Sequence, residues 1–307
     1  MILVTGASGS IGSRLTDRLA AAARGPLRLA GRAPAKLRSR WPDLESVELD
    51  VLRPETMPRA LEGVDAAYYL VHSMEPSAGG DFHARDAQGA RDFARVAREA
   101  GVRRVIYLGG LGDERHRLSE HLRSRQETGR ILAAAGPPVV EFRAAMVLAG
   151  DSASFRMLDD LVRRLPAMVV PRWVSTPSQP IAVEDVLAYL ERGVDVALDG
   201  QHTIVEVGGP DRVTYKEMIA IVAEREGRRR PPMIEVPLLT PRLSSYWCGL
   251  TTSVPAALAR PLIEGLATPM VVTNDGAARR FPDIEPVSFR EGLDRAMAEA
   301  KEQAEEA

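Results

Sequence analysis

Cysteine and lysine are scarce in this chain. Cys248 is the only cysteine among 307 residues. An intramolecular disulfide is therefore impossible, and the expected compartment is the reducing cytoplasm. Lysine occurs only at Lys36, Lys216 and Lys301, although lysine and arginine together number 40. Work that needs a cation therefore falls to arginine. An excess of one charge is also lacking. The net charge is −2 at pH 7, so no general pull toward nucleic acid or an anionic membrane follows. The one compact basic run, Arg228-Arg229-Arg230, precedes Pro231-Pro232 and reads as a solvated loop. No apolar run approaches the roughly 20 residues of a membrane-spanning helix. With a first strand read at Ile2, no signal peptide is expected. Metal-ligand spacing is missing as well: the histidines are scattered, with no H-x-x-x-H or C-x-x-C pattern. What remains is a chain that meets a small molecule, as a monomer or a homodimer.

The informative stretch is the first twelve residues. Ile2-Leu3-Val4-Thr5 is a short apolar strand, followed by Gly6-Ala7-Ser8-Gly9-Ser10-Ile11-Gly12. Ile11, Leu15, Leu19 and Ala22 then fall on one helical stripe. Strand, glycine turn and helix start form the context in which a dinucleotide pyrophosphate meets bare backbone and helix N-terminal amides. Gly6, Ser8, Gly9, Ser10, Ile11 and Gly12 are the candidate cofactor contacts. The competing reading is an ordinary βα turn that uses glycine for its backbone angles.

Strand-like and helix-like segments alternate up to about residue 150. Strands are expected at 27–30, 47–49, 66–71, 105–108 and 139–142 after the first. Helices are expected at 35–40, 54–61, 81–100 and 119–135, the last two stopped by Gly101 and Gly136. This alternation predicts an α/β fold, a Rossmann-type doubly wound parallel sheet. Beyond residue 150 prolines become frequent and the rhythm breaks. We expect a Rossmann core over 1–150 and a smaller C-terminal substrate lobe over 151–307, with a segment near 180–207 returning to the core.

Ligands of such a sheet sit beyond the carboxyl ends of its strands. In an NAD-type site an acidic residue follows the last glycine by about twenty positions. Here that place holds Arg32, and no Asp or Glu lies between Asp17 and Asp43. A guanidinium suits a 2′-phosphate, so NADP is expected over NAD, with Lys36 and Arg38 adding charge. A solvated arginine is the plain alternative. Asp50 and Val51, after the third strand, are candidates to face the adenine; a turn or cap is the other role for Asp50. Val71, His72 and Ser73 close the fourth strand and are expected beside the nicotinamide, unless His72 is simply buried and satisfied. Gly109 and Gly110 would let a flat ring approach. Arg143 would contact cofactor or substrate, or form a structural ion pair. Phe155 and Trp173 would wall a cleft or belong to the core. Tyr246-Trp247-Cys248 suggests an apolar lid.

The glycine triplet, Leu70-Val71-His72-Ser73-Met74, Leu108-Gly109-Gly110-Leu111-Gly112, the run Leu118 to Arg125 and Pro171-Arg172-Trp173 together resemble the atypical short-chain dehydrogenase/reductases. The nearest branch is the NmrA-like and related bacterial NAD(P)-binding proteins. The resemblance implies an oxidoreductase. Active members carry a serine after the fifth strand and Tyr-x-x-x-Lys on the next helix. This chain departs from both: Gly109-Gly110 stands at the serine, and His121-Leu122-Arg123-Ser124-Arg125 fills the tyrosine and lysine slot. His121 would be the proton donor, and Arg125 would bind ribose or phosphate without releasing a proton. The rival reading is a silent NAD(P)H sensor or assembly protein. Epimerase or dehydratase chemistry is a weaker third.

Overall fold

In the computed structural model the described residues are 1–71, 82–115, 118–236, 264–265 and 267–305. The core is built by β1 (Ile2–Thr5), α1 (Ser10–Ala21), β2 (Leu27–Gly31), α2 (Pro34–Arg40), β3 (Glu45–Glu48), α3 (Met57–Leu61), β4 (Ala66–Tyr69), α4 (Phe82–Glu99), β5 (Arg104–Gly110), α5 (Glu120–Ala135) and β6 (Val139–Ala144). All four residues of β1 are buried, as both faces of a parallel sheet require. The strands lie in the order β3-β2-β1-β4-β5-β6, and every pairing is parallel. The order reverses between β1 and β4. A crevice for a ligand opens there, beyond the carboxyl ends of the strands.

The seventh strand comes from further along the chain. After β7 (Val147–Leu148), α6 (Ala153–Arg164), β8 (Met168–Pro171), β9 (Pro177–Ser178), β10 (Ile181–Ala182) and α7 (Val183–Arg192), β11 (His202–Val207) pairs in parallel with β6. One sheet face is covered by α1 and α7, with Leu15, Leu19, Val186 and Leu190 against Val4, Tyr68 and Phe142. The other is covered by α3, α4 and α5, with Met57, Phe93 and Leu132 against Leu3, Tyr69 and Tyr107. Tyr68 and Tyr69 therefore face opposite layers, as strand alternation demands.

A third cluster joins α6 to α8 (Tyr215–Arg225), which follows β12 (Val213–Thr214), and to the helix Phe289–Glu305. Leu158, Val162, Met218, Val222 and Leu293 form its centre. Several elements differ from the sequence expectation, among them the fourth strand, which ends at Tyr69 rather than at Val71. Residues 54–61 are a 3-10 turn, Pro54–Thr56, followed by the short α3. Here the Thr56 hydroxyl donates to the Arg53 carbonyl at 2.8 Å, and Pro58 has no N–H to continue a ladder. The third strand runs from Glu45 to Glu48 rather than to Leu49.

Candidate functional site

The turn after β1 is shaped by contacts that only glycine permits. Gly6 sits at φ +67°, and a Cβ there would stand 2.7 Å from the Leu70 carbonyl oxygen. A Cβ on Gly12 would run into the Gly6 carbonyl oxygen. The Gly9 amide donates to that same carbonyl at 2.9 Å, closing the turn. Thr5 ties the strand to its neighbour: its hydroxyl donates to the Tyr68 carbonyl at 2.8 Å and accepts from the Leu70 amide at 3.1 Å. The helix that follows begins at Ser10 with Gly9 as N-cap, no side chain capping it and no acidic residue in its first turn. Ser8 and Gly9 are exposed. Uncapped helix amides behind an open glycine turn suit an anion, and the residues present fit a dinucleotide pyrophosphate.

A buttress that the sequence reading did not foresee stands beside this helix start. The Ser10 hydroxyl donates to Asp151 at 2.7 Å. Arg14 donates to the Ser10 carbonyl at 2.7 Å and pairs with Asp151 at 3.1 Å and with Glu299. Glu299 also accepts from the Gly150 amide at 2.7 Å. Burial pushes the Arg14 guanidinium down, but its bonds to Asp151 and Glu299 outweigh that and leave it raised. Asp151 and Glu299 are 137 and 285 residues away from Arg14, so no local pattern could have flagged them.

At the adenosine end, β2 stops at Gly31 and Arg32 is exposed, with Lys36 and Arg38 exposed on α2 behind it. Asp50 closes a turn, its carboxylate accepting from the Leu52 amide at 3.0 Å. Val51 is buried beneath α4, where a Cβ on Gly89 would stand 3.0 Å from it. Val71 is half-buried two residues beyond β4, which ends at Tyr69. His72, Ser73 and the stretch Tyr246-Trp247-Cys248 lie outside the described residues.

The β5–α5 junction carries the remaining candidates. Ser119 caps α5, accepting from the Leu122 amide at 3.2 Å. His121 and Arg125 lie one turn apart in α5 and are both half-buried. Arg125 turns back onto β5. Its guanidinium lies 5.2 Å from the centre of the Tyr107 ring and donates to the Leu108 carbonyl. Tyr107 in turn donates to the Arg125 carbonyl at 3.0 Å. Burial, against the nearby Arg125 charge, pushes the Tyr107 phenol up to about 12, so it stays protonated at neutral pH. Gln126 is fully buried and donates to the Gly112 carbonyl at 2.8 Å, fixing the loop after β5 from inside.

Gly109 and Gly110 both serve packing. A Cβ on Gly110 would meet Leu122 at 2.8 Å, and one on Gly109 would meet the Glu141 carboxylate. Arg143 is paired rather than open: its Nε lies 2.9 Å from Glu141 and its Nη1 3.7 Å from Glu114. Phe155, 2% exposed, sits in the α6–α8 cluster. Of Trp173 only the backbone is described, in the 3-10 turn Arg172–Ser175. Among the described residues no group of His, Cys, Asp and Glu could hold a metal. No described helix is long and apolar enough to cross a membrane.

Comparison with known proteins agrees with this geometry. Residues 6–137 match the family of NAD(P)H-binding domains. A (4-alkanoyl-5-oxo-2,5-dihydrofuran-3-yl)methyl phosphate reductase from Streptomyces griseus subsp. griseus is 32% identical over 126 residues, 41% of this chain and 40% of that protein. A ceramide reductase from Caulobacter vibrioides is 25% identical over 257 residues, covering 82% of this chain and 80% of that protein. Among solved structures, an NADPH-dependent quinone oxidoreductase from Escherichia coli in complex with NADPH superposes with a TM-score of 0.74. It covers 97% of this chain and 100% of that one at 16% identity. Residues 6–137 thus match an NAD(P)H-binding family, and the chain shares its fold with a solved NADPH-dependent quinone oxidoreductase and a solved nucleoside-diphosphate-sugar epimerase.

Proposed function

We propose that the chain is an NADP-dependent reductase of the atypical short-chain type. Its substrate is a small to medium apolar carbonyl, enone or quinone-like compound, and it works in the cytoplasm as a monomer or homodimer. The observation that carries this reading is the uncapped start of α1 behind Gly6, Gly9 and Gly12. The exposed Arg32 after β2, where an NAD site would want a carboxylate, adds the preference for a 2′-phosphate. Both sequence relatives bear reductase names, which supports reduction over epimerisation.

Bound there, the dinucleotide supplies a hydride from its nicotinamide C4. The chain's own residues do the rest. The glycine turn and α1 amides hold the phosphates, and Arg32 grips the 2′-phosphate. Arg125, which retains donors beyond its bond to Leu108, orients the ribose side. His121, one turn before Arg125 on α5, would supply the proton to the substrate oxygen.

The test is NADPH oxidation, followed by absorbance with a panel of quinones, enones and aromatic aldehydes. His121→Ala should lower kcat by about a hundredfold, the usual scale for a positioned acid, with NADPH affinity intact. Arg32→Asp should weaken NADPH by about tenfold, or ~1.4 kcal/mol, and spare NADH. Tight NADPH binding without turnover on any of these compounds would transfer the case to the silent sensor. Equal loss of both coenzymes in Arg32→Asp would remove the NADP preference.

A further inference from the structure

Glu141 is a carboxylate in the middle of an apolar strand, and it is fully buried. Its Oε1 lies 2.9 Å from Arg143 Nε, and its Oε2 lies 2.7 Å from His202 Nε2 on β11. Two glycines make room for it. A Cβ on Gly109 of β5 or on Gly129 of α5 would collide with its carboxylate oxygens. That carboxylate is pinned on both oxygens, so it could not swing aside cheaply. From Glu141 the charges alternate outward: Arg143 reaches Glu114 in the loop after β5, and Glu114 also pairs with Arg130 on α5. The ladder runs along the sheet face under α5 and ends on the loop that joins β5 to the helix bearing His121 and Arg125.

Burying a charged pair is a poor way to gain stability, since desolvation cancels most of the attraction and apolar residues of similar volume do as well. Here two glycines are also given up to accommodate it. We infer that Glu141 is a positioning residue: through Arg143 and Glu114 it fixes the β5–α5 loop at the reacting end of the proposed cofactor site. The same carboxylate fills the space of a side chain at position 109. The family's usual serine is therefore excluded by packing, and the chain must orient its substrate through the clamped loop. The inference rests on the reductase reading for its effect on turnover, but not for its effect on the loop.

Two variants and two readouts test it. Glu141→Gln keeps shape and removes charge; Glu114→Gln cuts the ladder at a half-exposed site where folding is not at stake. Each should lower kcat by about tenfold while leaving the KM for NADPH within about twofold. A purely structural role would not produce that split. Each should also speed amide hydrogen exchange in residues 111–115 by about fivefold while leaving β1 unchanged. Unchanged exchange in 111–115 for both variants would overturn the inference whatever the turnover. If the wild-type protein shows no turnover but both variants loosen 111–115, the reductase reading fails and the clamp stands.

Discussion

At the scale of single residues, steric exclusion explains more of the site than hydrogen bonding does. Gly12 has no room for a methyl group because the Gly6 carbonyl already lies there. Gly12→Ala should therefore push the turn outward, costing about 1–3 kcal/mol of stability by overpacking and weakening NADPH binding. Thermal unfolding and fluorescence titration of the same sample check both effects; an unshifted melting temperature with full NADPH affinity would contradict the packing argument. The glycine triplet was legible in the sequence because its context is local: apolar strand, turn, helix. Arg14 was not, because its partners come from residues 151 and 299. Glu141 did carry a local signal, a lone carboxylate inside the apolar run Val139-Val140-Glu141-Phe142, matched by Gly129 in the interior of α5. Only the fold shows that these two residues answer each other. Of the two roles expected for Arg143, contact with cofactor or substrate and a structural ion pair, the structure shows ion pairs with Glu141 and Glu114.

At the scale of elements, side-chain caps mark α5, α6 and α8, whereas α1, like α2, α3 and α7, has none. Ser119 caps α5, Ser152 caps α6, and Thr214 with Glu217 forms a reciprocal capping box on α8. The start of α1 has no such side chain. What distinguishes it is the glycine turn in front, with Ser8 and Gly9 exposed, which is why we propose a ligand for its amides. The capping box gives a pH prediction. Bonds from the Thr214 backbone and side chain hold the Glu217 carboxyl below its ordinary value. A carboxyl lowered on folding contributes stability that is fully present above its unfolded value and fades as pH falls through its folded value. Thr214→Ala should thus cost about 1 kcal/mol near neutral pH, and the gap to wild type should narrow in acid below about pH 4.5. Denaturant melts at pH 7 and pH 3.5 measure it; a gap that widens in acid would refute the assignment. The alternation of strands and helices up to residue 144 was legible because each element carries its own apolar pattern. Strand β11 was harder to read: it is an edge strand with Ile204 exposed, so its pattern resembles a surface segment until β6 is placed beside it.

At the scale of the whole molecule, a seven-stranded sheet carries the candidate site at its strand ends, and Arg14 ties α1 to Asp151 and Glu299 from the later part of the chain. The helix Phe289–Glu305 reaches α1 through Glu299, which binds both Arg14 and the Gly150 amide. The start and the end of the described chain therefore meet at the candidate phosphate site. That closure lies beyond sequence reading because its partners are so far apart along the chain. The most direct test of the account is calorimetric titration of the intact protein with NADPH, repeated with NADH. Saturable binding of one NADPH per chain, tighter than NADH, is the result expected from the bare turn at Gly6–Gly12 and from Arg32. Heat of dilution alone with both coenzymes would contradict it.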